Sequence, residues 1–256
     1  MVDSEKIIKS KKRVQMHGEV LTPKKVVRKM LDTPDIRDLS KDLETTFLEP
    51  GAGEGAFLSE ILERKLKTVH KMYCESIIQY ENYSLFALST LYGVEYLEDN
   101  TTACVLNLYD IFYKYYKSAS EKFNRKIKNK ILDCAKIIIK SNIVQGDFLT
   151  KKTAKGKYLI FSEWKPVNLY KGRTITVNRT EYTLDEIIEK KEKEPGEYIS
   201  GYYRKYGRLP QDNQSSIFDF DNFENPDESE TVEVKYRYKT CKITDVHLEL
   251  MEELYE

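Results

Sequence analysis

Apolar residues change spacing twice between residues 22 and 66. In "LTPKKVVRKMLDT", Val26, Val27, Met30 and Leu31 fall on one helical stripe; Thr22 stands where a cap belongs and Pro23 suits the first helical position. "TTFLE" is a short continuous apolar run, which predicts a buried strand ending at Glu49. "AFLSEILERKL" returns to the helical period, with Phe57, Leu58, Ile61, Leu62 and Leu66 on the inner face. Between strand and helix stand Gly51, Gly53 and Gly55, so the pattern is strand, glycine turn, helix. Downstream, "SIIQYENYSLFALST" predicts a helix, "LYGVEYL" a strand and 101–117 a tyrosine-rich helix. "KIIIKSNIVQGDFL" predicts a third strand and its turn, and "GKYLIFSEW" a fourth. Strands separated by helices predict an α/β fold with a parallel sheet and crossover helices.

The texture changes after Pro166. "VNLYKGRTITVNRTEYT" leaves too few residues between two strand-like runs for a helical crossover, which predicts a hairpin. "TLDEIIEKK" predicts a helix opened by a capping box, Thr183 with Glu186. Tyrosine-rich "GEYISGYYRKYGRLP" and acidic "DFDNFENPDESE" predict loops, "TVEVKYRYKTCKITDV" a strand or hairpin, and the chain is expected to close on a short helix. The expected organisation is a domain over 1–166 and a divergent α+β extension over 167–256, with an acidic loop near 211–230.

Composition narrows the class of protein. The chain has 256 residues, 40% of them hydrophobic, enough for a real core. Its charged opening, "MVDSEKIIKSKKR", and the lack of a membrane-length apolar run predict neither signal peptide nor membrane span, so a cytoplasmic location is expected. Cys74, Cys104, Cys134 and Cys241 lie far apart without a C-x-x-C pair, which argues against a zinc knuckle and a disulfide framework. Net charge is zero but unevenly spread. Residues 1–30 carry nine Lys/Arg against three acids, 114–140 nine against two, and 211–230 seven acids and no base. The basic blocks are either solvated helix faces or contacts for a phosphate backbone.

The glycine turn narrows the chemistry. Glycines after a parallel strand allow close ligand approach, and the next helix offers free amides, an arrangement suited to nucleotide-like ligands. A P-loop requires Gly-Lys-Ser/Thr, whereas the chain has Gly55-Ala56-Phe57. A dinucleotide turn tolerates Ala56 at its third glycine, but Glu49 and Pro50 are unusual before it. The stretch from Glu49 to Phe57, "EPGAGEGAF", resembles the S-adenosylmethionine motif of the N6-adenine DNA methyltransferases of restriction-modification systems. The likeness covers roughly the first 150 residues. "HGEVLTPKKVVRKMLD" is similar to that family's N-terminal motif, which implies that Thr22 and Pro23 lie beside the methionine end of the cofactor. "LYGVEYLEDN" is similar to the second strand, implying that Glu95 binds the ribose hydroxyls. "IVQGDFL" is similar to the third, implying that Asp147 receives the adenine amine and Phe148 stacks on its ring. The resemblance thus implies a Rossmann-like methyltransferase sheet, S-adenosylmethionine as cofactor held by Thr22, Pro23, Glu49, Gly51, Gly53, Gly55, Phe57, Glu95, Asp147 and Phe148, and DNA as partner.

The catalytic end departs from the family. Members carry Asn/Asp/Ser-Pro-Pro-aromatic after the fourth strand, to hold the target amine and stack on the flipped base. The seven prolines of this chain, at 23, 34, 50, 166, 195, 210 and 226, are never adjacent. The corresponding place reads Ser162-Glu163-Trp164-Lys165-Pro166, where Glu163 could accept from an amine and Trp164 either stacks on a base or belongs to the core. Asn225-Pro226-Asp227 repeats half the motif far downstream, within the acidic loop, and predicts a turn. The second half of the sheet is expected to be reduced or replaced, and the remaining 90 or so residues leave no room for a separate recognition domain, which a protein partner would then supply. Three functions follow: a methyltransferase acting on DNA adenine through Glu163 and Trp164; a non-catalytic cofactor- or DNA-binding subunit or regulator; or a methyltransferase for RNA, protein or a small molecule. In the last case "SGYYRKYGR" offers rings to clamp a nucleic acid.

Overall fold

A computed structural model describes residues 9–17, 19–199 and 235–254. The acidic loop at 211–230, with Asn225-Pro226-Asp227, and the whole of "SGYYRKYGR" lie outside the described residues.

Two short helices, α1 (Lys11–His17) and α2 (Lys24–Leu31), and a helical turn, α3 (Pro34–Arg37), lead into β1 (Phe47–Glu49). In α2, Pro23 is the capping residue itself and no side chain caps the helix, so Thr22 stands outside it. Val27 and Leu31 are the core residues, whereas Val26 and Met30 are 44% and 50% exposed. The local pattern marks an apolar stripe wider than the face that finally packs.

After the glycine turn come α4 (Ala56–Met72), α5 (Ile77–Ser89) and β2 (Leu91–Glu95). Helix α4 buries Leu58, Ile61, Leu62, Leu66 and Val69, as its spacing predicts, and also Lys65. The Lys65 ammonium donates to the Thr45 carbonyl at 2.5 Å and to Thr90 Oγ1 at 2.6 Å, pinning the starts of β1 and β2 beneath the helix. Ser76 caps α5 by accepting from the Gln79 amide at 3.2 Å.

Next are α6 (Glu98–Lys122), α7 (Asn129–Asn142) and β3 (Ile143–Gln145). "KIIIKSN" is therefore helix, and only "IVQ" is strand. Ile131, Leu132, Ala135, Ile138 and Ile139 recur at helical spacing and all are buried, so packing outweighs the strand preference of three consecutive isoleucines. The three strands form a parallel sheet in the order β1-β2-β3, and the protein is mixed α/β with this sheet flanked by helices.

The fourth strand, β4 (Ile160–Pro166), is not part of the parallel sheet. It pairs antiparallel with β5 (Thr176–Thr183) from Ile160↔Thr183 to Pro166↔Val177. No helix lies between β3 and β4, and a parallel pairing needs a crossover. The short loop after β4 instead returns the chain as the expected hairpin. Trp164, Ile175, Val177, Ile243 and Val246 join the same apolar core as α4 and α5, so that core runs across residue 166. Thr183 and Glu186 form the expected capping box at the start of α8 (Leu184–Ile188), each side chain bonding the other's backbone amide.

The remaining described residues form β6 (Lys235–Tyr238), β7 (Cys241–Lys242), a 3-10 turn (Ile243–Leu248) and β8 (Met251–Leu254). The last described element is a strand paired with β6, in place of the expected closing helix. Pairing with β8 from Lys235↔Leu254 to Tyr238↔Met251 gives the β6 backbone the partners that a helix at this place would not. Among the described residues, no helix is long and apolar enough to cross a membrane.

Candidate functional site

The glycine turn is fixed by one backbone hydrogen bond to β2 and one within the turn. The Ala52 amide donates to the Val94 carbonyl at 2.9 Å and the Gly55 amide to the Ala52 carbonyl at 2.8 Å. Gly53 and Gly55 have φ of 54° and 80°, a region that side-chain-bearing residues seldom adopt. A Cβ built on Gly51 or Gly53 would meet nothing within 4 Å, so one side of the turn faces open space. A Cβ on Gly55 would lie 2.6 Å from Cys104 Sγ on α6.

Two carboxylates stand at the strand ends, in contrasting states. Glu95 is buried, and its Oε2 accepts from the Gly53 amide at 2.7 Å while Oε1 accepts from the Leu97 amide at 2.9 Å and Asn100 Nδ2 at 3.3 Å. Glu49 is different: its Oε2 is buried without a hydrogen-bond partner. Burial, and then the charge of Glu95, push the Glu49 carboxyl up to about 7.

Glu49 opens on a cleft of about 390 Å³ between α2, the glycine turn, α4 and α6. Thr22, Pro23, Glu49, Gly51, Gly53 and Phe57 all line it. Gly55 sits behind the turn against Cys104, and Glu95 braces the turn through Gly53. Asp147 and Phe148 are not among the lining residues. Asp147 Oδ1 accepts from the Leu149 amide at 2.8 Å, and Phe148 packs on the small cluster of Val94, Leu159, Phe161 and Leu184.

Glu163 and Trp164 point to opposite faces of β4, and the structure does not bring them together. Trp164 is 3% exposed, lies in the core, and has the Arg179 guanidinium 5.0 Å from its ring. Its buried position makes it a packing residue in this conformation. Glu163 lines a second cleft of about 520 Å³, with Leu48, Lys165 and Tyr182.

Sequence reasoning missed the far wall of the first cleft. Asn107, Asp110, Ile111 and Lys114 line it from α6, and Asn107 Nδ2 donates to the Glu54 carbonyl at 2.9 Å. Their spacing, i, i+3, i+4 and i+7, is one helical face, so the stripe was present in the sequence although its partner was not. The lining acids Glu49, Glu54, Glu60, Glu63 and Asp110 outnumber the lining bases Lys24, Arg28 and Lys114. Glu54, Glu60 and Glu63 are ion-paired with Lys9, Arg28, Arg64 and Lys67, so the place for a cationic ligand group is the unpartnered Glu49 oxygen.

Comparison with protein-family models, with curated proteins and with solved structures found no match for this chain.

Proposed function

We propose that this chain is an S-adenosylmethionine-dependent methyltransferase related to the N6-adenine DNA enzymes, with a Rossmann-like cofactor half. The observation that carries the proposal is Glu49, which lines the cleft and holds one carboxylate oxygen buried and unpartnered. A buried carboxylate without a partner is unfavourable, and an ammonium or sulfonium in the cleft relieves it. The residues present fit the cofactor: Gly51 and Gly53 leave room for close backbone approach, Thr22 and Pro23 form the opposite lip, and Phe57 supplies an apolar wall. In this assignment Glu49 would hold the methionine end, and Glu95 orders the turn through the Gly53 amide. When bound, the cofactor supplies an activated methyl group. The protein's part is alignment, since transfer from a sulfonium needs little proton chemistry.

A second function has its own support. Trp164 is packed in the core and β4 pairs outside the parallel sheet, which favours a cofactor-binding subunit whose acceptor site is completed by a partner. Calorimetry with S-adenosylhomocysteine, paired with labelled methyl transfer to DNA, RNA and protein, separates the two. Binding with transfer supports the enzyme, binding without transfer to any acceptor supports the subunit, and absence of both contradicts the proposal.

A further inference from the structure

Residues 9–17, containing α1, lie across the end of β2 and are held there by charge. Lys9 Nζ reaches Glu54 on the glycine turn at 2.7 Å and Asp99 at the start of α6 at 3.3 Å. Arg13 spans both oxygens of Asp99, at 2.9 Å and 3.1 Å, and also pairs with Glu19. Lys9 donates to Asn100 Oδ1 at 2.5 Å, while Asn100 Nδ2 bonds Glu19 and Glu95. These contacts bridge the glycine turn and α6 on either side of the buried Glu95 carboxylate. The Arg13 hydrogen bonds are the main cause that holds the Asp99 carboxyl down, to about 2.

The manner of attachment sets this segment apart. Among the described residues, none of 9–17 belongs to either apolar core cluster, and Met16 is 63% exposed. Lys9 and Arg13 keep roughly a quarter of their side-chain surface in solvent and Asp99 keeps 54%. Partly exposed pairs of this kind each contribute little and are screened by salt. Arg13–Glu19 and Lys9–Asn100 reach less exposed partners, but no described side chain of the segment belongs to an apolar core cluster, so it can detach without disturbing the core.

We propose that residues 9–17 form an ion-pair-held strap, which opens to let a ligand reach the Glu54 side of the cleft and closes over it. The nature of that ligand rests on the cofactor assignment above, whereas the strap itself can be tested without any ligand. Limited trypsin digestion of the native protein reads opening as cleavage after Lys11, Lys12 and Arg13, identified by mass. Between about 0.01 M and 1 M salt the screening length falls from about 30 Å to about 3 Å, so cleavage of the unmodified protein rises several-fold. Asp99→Asn raises cleavage at low salt by about three- to tenfold, the scale of one or two exposed pairs, and flattens its salt dependence. Saturating S-adenosylhomocysteine slows cleavage in the unmodified protein. Cleavage insensitive both to salt and to Asp99→Asn overturns the strap, even if the cofactor binds tightly. Binding that leaves cleavage unchanged overturns its closure over the ligand. Failure of the cofactor to bind while the salt pattern holds removes the cofactor assignment and leaves the ion-pair attachment standing.

Discussion

Lys65 is a buried ionisable side chain and Glu49 a half-buried one with a buried carboxylate oxygen, and their effects on stability run oppositely with pH. Burial pushes the Lys65 ammonium down to about 7, although Asp42 pulls the other way. An unfolded chain holds that proton until about pH 10.4. Between about pH 7 and pH 10.4 the unfolded state thus binds more protons, and stability rises with pH, by up to about 1.4 kcal/mol per unit from this group. Lys65→Met should flatten that rise in urea midpoints measured from pH 7 to pH 10; an unchanged slope would show that Lys65 is not the cause. Glu49 has its folded value raised, so the native state binds more protons from about pH 4.3 to about 7 and stability falls as pH rises through that window. A carboxylate that weakens the free protein is one that a cationic ligand can reward.

At the scale of elements, the glycine turn is the most constrained feature. Gly55 needs both its φ of 80° and the space that Cys104 leaves. Gly55→Ala should destabilise the protein by more than about 1 kcal/mol in chemical denaturation. Adding Cys104→Ala relieves the close contact but not the backbone conformation, so the double variant should recover only part of the loss. Full recovery would mean that the conformation costs nothing. The elements legible in the sequence were those with strong local signals: β1, the turn, α4, β2 and α8 with its capping box. Helix α7 was not, because "IIIK" satisfies a strand and a helix equally until the burial of Ile131 and Ala135 is known. The α2 face was misjudged for a related reason: Val26 and Val27 are neighbours, and only packing selects Val27.

At the scale of the whole molecule, two clefts flank β1, an acidic one at its C-terminal end and a mixed one along its side. The first was largely legible because Glu49 to Phe57 is continuous in sequence and Thr22 and Pro23 come from one nearby helix entrance. Asp147 and Phe148 lie outside its lining, since their position depends on how the turn after β3 packs against β4 and α8. The strap contacts with Glu54, Asp99 and Asn100 join residues 45 to 91 positions apart, and no local pattern encodes them. The pairing of β4 with β5 likewise depends on the missing crossover, a property of the connection and not of the strand. The central claim is that Glu49 receives a cationic cofactor, and calorimetric titration of S-adenosylmethionine from pH 5.5 to pH 8.5 tests it most directly. With a free-protein carboxyl near 7, affinity should rise about tenfold or more as Glu49 ionises, reaching a plateau above that value. In Glu49→Gln affinity should be weak and nearly independent of pH. Equal affinity of the two proteins across that range would contradict the claim.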